Sequence, residues 1–273
     1  MRTRTRCAAF ALLILFSQAA VPSPATPLQA LTPWDLNYGE AQCLALRNYG
    51  DSADPVTFAI RPALNGASYE ILVSRKRAGP MYAQEHEGSV DFGSGPIKAW
   101  LLHYQTPKGK LTIDQYRISA SDMAAARTAN LVTLRSAGRG DVAFSLANMA
   151  ALIKGLEDCT TDLRRYWNEH GEDDGSIAFG ATGDVRKIFT NDDYPDEALR
   201  RGQQGTSQFY LLIDEHGKVA GCNVLKPSGI PALDGMGCSV IIERAKFSPA
   251  LDRNRKPVRS TYVTPPIVWA MPG

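Results

Sequence analysis

The sequence carries little net charge and lacks the common signatures of catalysis. Its 30 lysine and arginine residues nearly balance its 28 aspartate and glutamate residues, and the net charge is +2. This balance gives no electrostatic basis for nucleic-acid binding. The sequence has no nucleophile elbow, paired-histidine zinc motif, phosphate loop or dinucleotide fingerprint. We therefore expect no enzyme, no metal ion and no other cofactor.

The sequence also lacks an apolar run long enough to cross a bilayer, which takes about twenty residues. Its first apolar stretch covers residues 7–16, follows three arginines and precedes small-residue cleavage contexts at 17–20 and 24–25. This pattern predicts a cleaved secretory signal peptide within residues 1–30 and a periplasmic location. The alternative is an uncleaved N-terminal segment that anchors the protein in the inner membrane.

Cysteines are few, and one of the five, Cys7, lies in the predicted signal peptide. The other four are Cys43, Cys159, Cys222 and Cys238. An even number in an oxidising compartment favours disulfides, and four cysteines allow three pairings. A division of the chain into two domains favours Cys43 with Cys159 and Cys222 with Cys238. Two buried free thiols remain the alternative for the first pair.

Short runs rich in strand-forming residues follow one another through the first half of the chain, separated by Gly, Pro, Asn and Asp. They lie at residues 34–38, 43–47, 56–60, 69–74, 90–92, 97–104, 111–118, 131–134 and 142–146. This spacing predicts an antiparallel sheet or a small sandwich. A brief helix is expected at 121–130, with Ser121 as its cap.

A longer helix is predicted from 146 to 167, because apolar residues recur there every three or four positions. They are Met149, Ile153, Leu156, Cys159, Leu163 and Trp167. The acidic, glycine-containing residues after it predict a linker over 168–187. His170 lies there beside Glu172, Asp173 and Asp174, but consecutive carboxylates in a linker are usually solvated, so no metal site is expected.

The last eighty or so residues alternate between helix and strand signals. A short helix is expected at 194–201, a hairpin of strands 206–214 and 218–226, a helix at 232–245 and a last strand at 258–269. One face of the resulting sheet would be covered by helices.

Five motifs in this region carry a resemblance to a known family. In chain order they are Tyr194-Pro195-x-x-Ala198-Leu199-Arg200-Arg201-Gly202-x-x-Gly205, Asp214-x-x-Gly217-Lys218-Val219, Ser228-Gly229-x-x-x-Leu233-Asp234, Phe247-x-Pro249-Ala250 and Pro257-Val258. Together, over about residues 190–270, they resemble the C-terminal domain of the TonB energy-transducer family. The region between Cys43 and Trp167 resembles regions found beside such domains in uncharacterised envelope proteins of alphaproteobacteria, a likeness that implies no activity.

The resemblance and the periodicity together predict an α+β fold. A β-rich N-terminal domain closed by a helix would precede a small TonB-like domain of helix, hairpin, helix and strand. The expected limits are a signal peptide at 1–30, an N-terminal domain at 31–167, a linker at 168–187 and a TonB-like domain at 188–273. Unlike an energy transducer, the sequence has a compact domain where the transducer has a long proline-rich spacer.

The resemblance further implies that the C-terminal domain binds a peptide of an outer-membrane transporter or another envelope protein, in TonB-dependent transport. In that mode the peptide adds as a strand to the edge of the sheet. The expected edge strand consists of Arg259, Ser260, Thr261, Tyr262 and Val263, because Pro265-Pro266 belongs at a strand end. The sequence does not predict the oligomeric state.

A second hypothesis places the chain in another class of protein. It is a stand-alone periplasmic enzyme or enzyme subunit whose ligand site lies between the two domains, where such sites are common. A polar cleft with converging carboxylates or histidines would favour it, whereas a flat, open sheet edge would favour peptide binding.

Overall fold

The computed structural model describes residues 25–77, 84–106 and 111–271. Within these ranges, nine antiparallel strands form one sheet in the order β1-β2-β3-β4-β7-β6-β5-β8-β9. The strands are β1 Asp35–Tyr38, β2 Cys43–Gly50, β3 Pro55–Pro62, β4 Ser68–Arg75, β5 Gln84–Asp91, β6 Pro96–Gln105, β7 Thr112–Ser119, β8 Leu131–Ser136 and β9 Val142–Ser145. The alternation of apolar and polar residues along them places one face of the sheet in a large core.

The segment before β1 closes this sheet into a ring. Leu28 bridges Phe144 of β9, and its N–H donates to the carbonyl of Ala143 at 2.8 Å. Ala30 bridges Tyr49 of β2 on the other side. Leu28 and Ala30, which the sequence prediction placed in the signal-peptide segment, thus pair with this sheet, whereas residues 1–24 of that segment lie outside the described residues. A backbone bridge of one or two residues leaves no periodicity in the sequence, because it does not depend on the side chains.

A helix, α2 at Met149–Tyr166, packs its predicted apolar stripe into the same core. The disulfide between Cys43 and Cys159 ties it to β2. The brief helix expected before it is shorter: α1 covers Ala120–Met123 and continues as a 3₁₀ turn at Ala124–Thr128. Its cap is Ser119 rather than Ser121, since the Ser119 hydroxyl accepts from the N–H of Asp122 at 3.1 Å.

A second, smaller sheet lies in the C-terminal part of the chain. The helices there are α3 Gly171–Asp174, α4 Asp196–Arg200 and α5 Pro231–Arg244, and the strands are β10 Gly205–Ile213, β11 Val219–Lys226, β12 Ala250–Leu251, β13 Pro257–Val258, β14 Ser260–Val263 and β15 Ile267–Trp269. β10 is central, with β11 on one side and β14 and β15 on the other, while β12 pairs with β13. The hairpin and both longer helices appear as predicted, and the α+β fold class is confirmed.

The single last strand expected at 258–269 is wrong, because the structure divides it into three pieces. β13, β14 and β15 are separated by Arg259 and by the residues around Pro265-Pro266. Proline has no N–H to donate to a ladder, so the chain leaves β10 after β14 and returns to it as β15.

Both faces of β10 are buried, although the sequence predicts that helices cover one. Phe209, Leu211 and Ile213 face the second core, whereas Tyr210 and Leu212 belong to the core of the N-terminal domain. The N-terminal domain thus covers the second face of the small sheet. An uninterrupted apolar run from Phe209 to Ile213 is the sequence signal of a strand buried on both sides.

The second half of the predicted linker, residues 168–187, pairs with the C-terminal domain at three points, although most of its residues are exposed. Phe179 bridges Leu251, Thr182 bridges Ser248, and Val185 lies in the second core. The C-terminal core therefore begins before residue 188. The second disulfide, Cys222 with Cys238, joins β11 to α5 inside this domain.

Candidate functional site

The outer edge of β14 is an open strand edge. β14 pairs with β10 from Ser260 opposite Ile213 to Val263 opposite Tyr210, and no other strand of the described chain pairs with β14. The N–H of Thr264 donates to the carbonyl of Phe209 at 2.9 Å. Along an antiparallel strand, the N–H and carbonyl of successive residues point alternately to one side and the other. The N–H and carbonyl of Tyr262, two residues before Thr264, therefore also face β10.

By the same alternation, the backbone groups of Thr261 and Val263 point away from β10. In the part of the chain that the structure describes, they form no hydrogen bond. The Val263 side chain is 47% exposed. Tyr262 instead packs on Phe247, with ring centroids 4.8 Å apart, and its hydroxyl donates to the carbonyl of Gly183 at 3.3 Å. The packing of Tyr262 thus holds one face of the strand in place. Its outer edge presents the free backbone groups of Thr261 and Val263 and the apolar side chain of Val263.

Arg259, expected in the edge strand, lies outside β14 and joins the two domains. Its guanidinium lies 4.4 Å from the ring centroid of Tyr166 and its Nε 3.1 Å from Glu215 Oε2. Its carbonyl accepts a hydrogen bond from the side-chain amide of Asn168 at 2.8 Å. The available edge is therefore shorter than predicted, and Arg259 is a domain-joining residue. Sequence reasoning missed this because the partners lie far away along the chain.

A second contact joins the end of α2 to the same sheet. The hydroxyl of Tyr210 donates to Glu169 Oε1 at 3.0 Å, and Glu169 also forms an ion pair with Arg164. Burial raises the pKa of Tyr210, and the negative charge of Glu169 adds to that rise. The hydroxyl therefore remains a donor at neutral pH. No local pattern in the sequence indicated this contact.

The other end of the edge is fixed by Thr264 and the prolines after it. The Thr264 hydroxyl accepts from the N–H of Phe209 at 3.0 Å, and its carbonyl accepts from the side-chain amide of Gln208 at 2.8 Å. Pro265 and Pro266 cannot donate to an added strand. The free edge is thus bounded by Asn168 and Arg259 at one end and by the prolines at the other.

Polar groups also converge inside the N-terminal domain, around the carboxylate of Asp114. His103 Nδ1 lies 2.6 Å from Asp114 Oδ1, and Arg75 Nη1 lies 2.9 Å from Asp114 Oδ2. His103 is 4% exposed. Burial, with the nearby charge of Arg139, lowers the pKa of His103 despite its hydrogen bond with Asp114, which favours the neutral imidazole. The cluster is therefore a buried ionic network within one domain.

Two surface cavities of about 220 and 340 Å³ are lined entirely by N-terminal residues, so neither lies between the domains. Among the described residues, no group of three or more His, Cys, Asp or Glu side chains is arranged to hold a metal ion. No helix within residues 25–77, 84–106 and 111–271 is long and apolar enough to cross a membrane.

The structure thus defines an α+β protein whose small C-terminal domain exposes a strand edge. Residues 190–271 match the family model of the Gram-negative bacterial TonB protein C-terminal. This part of the chain is a TonB C-terminal domain, which confirms the resemblance found in the sequence over residues 190–270. The family is one of non-enzymatic energy-transducer domains, and the match supports a TonB-like protein of the envelope with a protein partner. No curated protein and no solved structure matches the chain.

Proposed function

We propose that this protein is a periplasmic TonB-like protein that binds a partner peptide by strand addition to β14, in TonB-dependent transport. The partner is a segment of an outer-membrane transporter or of another envelope protein. The observation that carries this proposal is the pair of outward-facing residues, Thr261 and Val263, in an edge strand held firmly by β10. An extended peptide satisfies such groups with its own backbone.

Two outward residues offer four backbone groups to a partner. A net hydrogen bond contributes about 0.5–1.5 kcal/mol, so backbone pairing alone supports only modest affinity. The half-exposed side chain of Val263 supplies an apolar contact beside these groups and favours an apolar or β-branched residue in the partner.

For the location, we propose that the N-terminal segment is a cleaved signal peptide and that the mature protein is periplasmic. The arginines followed by the apolar residues 7–16 support this proposal. The alternative, an uncleaved inner-membrane anchor, predicts a full-length protein in the inner membrane, so the two differ in the mass of the native protein.

We also propose revised domain limits, with the N-terminal domain at 27–167 and the C-terminal domain at 178–271. The first limit rests on the bridges of Leu28 and Ala30. The second rests on the hydrogen bond from the N–H of Ala178 to the carbonyl of Leu251, 2.8 Å long. Residues 168–177 connect the two.

The test of strand addition is Val263→Pro, with Val263→Ala as its matched control. Proline removes the outward N–H and places its ring on the edge, whereas alanine keeps the N–H and loses only the apolar contact. Synthetic peptides that cover the periplasmic N-terminal segments of outer-membrane transporters from the same cells are titrated against both variants. We expect Val263→Pro to weaken binding by about tenfold more than Val263→Ala does.

Thermal unfolding must show the same midpoint for the two variants. If Val263→Pro binds every transporter peptide as well as Val263→Ala does, strand addition at this edge is wrong. Tyr262→Pro is unsuitable as a test, because the N–H of Tyr262 faces β10 and its loss would disturb the sheet itself.

A further inference from the structure

Asn168 ends α2 in a conformation that few residues adopt. Its φ is +48°, and the N–H of Glu169 after it donates back to the carbonyl of Arg164 at 3.1 Å. Asparagine is among the residues that tolerate this left-handed turn at the end of a helix. The turn directs the side-chain amide across the domain boundary to the carbonyl of Arg259.

That carbonyl lies on the outward side of the strand edge. The backbone groups of Thr261 and Val263 point away from β10, so the same alternation directs those of Arg259 outward as well. A strand added to β14 would use the Arg259 carbonyl as its next acceptor. The amide of Asn168 already donates to it and lies on its outward side, in the way of a partner N–H. The guanidinium of Arg259 rests on Tyr166, a residue that is 40% exposed.

We propose that the end of α2 forms part of the peptide-binding surface and stops the added strand at Thr261. This inference rests on the proposed function and assigns part of the partner site to the N-terminal domain. The Asn168 amide obstructs the approach of a partner N–H to the Arg259 carbonyl, and Tyr166 borders the position that the next partner residue would enter.

The partner is accordingly a short extended segment. The stretch between Arg259 and Pro265 holds five residues, 260–264, which span about 16 Å at roughly 3.3 Å per residue. The segment pairs with Thr261 and Val263, places an apolar side chain near Val263, and turns away or ends before Arg259. A long partner strand is excluded by the two ends of the edge.

The test compares peptide lengths in Asn168→Gly. Glycine accepts φ +48° without strain, so this variant removes the amide and keeps the turn. Asn148→Gly is the matched control, since Asn148 also has a positive φ, +59°, and stands at the other end of α2. The transporter peptide that binds the wild type best is shortened one residue at a time from each end, and the dissociation constants are measured.

In the wild type and in Asn148→Gly, peptide residues that extend beyond the position opposite Thr261, towards Arg259, should add nothing to the affinity. In Asn168→Gly the freed carbonyl accepts a further hydrogen bond, so the full-length peptide should bind about two- to tenfold more tightly than the shortened one. Asn168→Asp, which keeps the shape and removes the donor, repeats the measurement if Asn168→Gly is poorly folded.

Equal affinities of long and short peptides for the Asn168 variants would overturn the inference. So would a wild type that already binds the long peptide more tightly, because its strand would then pass Arg259. If no transporter peptide binds the wild type, or if Val263→Pro and Val263→Ala bind equally, the proposed function fails instead. Amide exchange slowed at Thr261 and Val263 but unchanged at Arg259 is the pattern expected of the wild-type complex.

Discussion

The carboxylate of Glu85 accepts a hydrogen bond from the backbone N–H of Ala232 at 2.7 Å. Ala232 lies in the first turn of α5, whose own N-cap residue, Ile230, makes no side-chain cap. Glu85 belongs to β5 of the N-terminal domain. One domain thus caps a helix of the other, and the negative charge lies at the positive end of the helix dipole.

Glu85→Ala should destabilise the C-terminal domain by about 1 kcal/mol, the usual cost of losing an N-cap. Urea unfolding measures this, and the loss should appear in the transition that reports on α5. Glu87→Ala is the matched control, because Glu87 is an exposed residue of the same strand and face. Equal losses in the two variants would mean that Glu85 does not act as a cap.

The two disulfides should contribute unequally to stability. Cys43 and Cys159 are 116 residues apart, whereas Cys222 and Cys238 are 16 apart. In the chain-entropy model the longer loop contributes about 4–5 kcal/mol and the shorter about 3 kcal/mol. Urea unfolding of the two double alanine variants should show the larger loss for the first pair. A larger loss for the second pair would contradict the loop-entropy account.

Local periodicity explains which elements could be predicted. The stripe from Met149 to Trp167 defines α2, and the runs around Asp214–Gly217 define the hairpin of β10 and β11. Each pattern is contained in a short stretch of sequence, and neither depends on residues far away along the chain. The ring closure through Leu28 involves a residue from the other end of the domain, so no such pattern shows it.

Part of the candidate site could be predicted because its sequence signal is also local. Pro265-Pro266 indicated a strand end, and β14 does lie just before it. The position of Arg259 depends instead on Tyr166 and Asn168. Such contacts follow from domain packing, which no window of the sequence contains.

The free energy of unfolding should fall as the pH drops below about 6.5, the ordinary pKa of histidine. Burial lowers the folded-state pKa of His103, and burial together with Arg139 lowers that of His86. The unfolded chain therefore binds more protons in this range, so stability is present above the unfolded pKa and is lost as the pH falls. Asp114, Arg75 and Arg139 are the charged groups around His103.

His103→Asn removes this titration and keeps a donor near Asp114. Urea unfolding between pH 5.5 and 7.5 should show a smaller slope for this variant, by up to about 1.4 kcal/mol per pH unit for one proton. His216→Asn serves as the control, because His216 is an exposed residue of the turn between β10 and β11. A slope unchanged by His103→Asn would assign the pH dependence to other groups.

The mature protein should begin at or before Pro27. The bridges of Leu28 to Phe144 and of Ala30 to Tyr49 close the N-terminal sheet, so cleavage after residue 30 would open it. Cleavage at either predicted context, 17–20 or 24–25, would leave Leu28 and Ala30 in the mature protein and so keep both bridges. The intact mass of the protein from the periplasmic fraction should match one of these cuts and be lower by the four hydrogens of two disulfides. A truncated protein that starts at residue 31 should unfold at a lower urea concentration than the mature protein, because it has lost the segment that bridges β9 and β2. Equal stability of the two proteins would show that the bridges are dispensable.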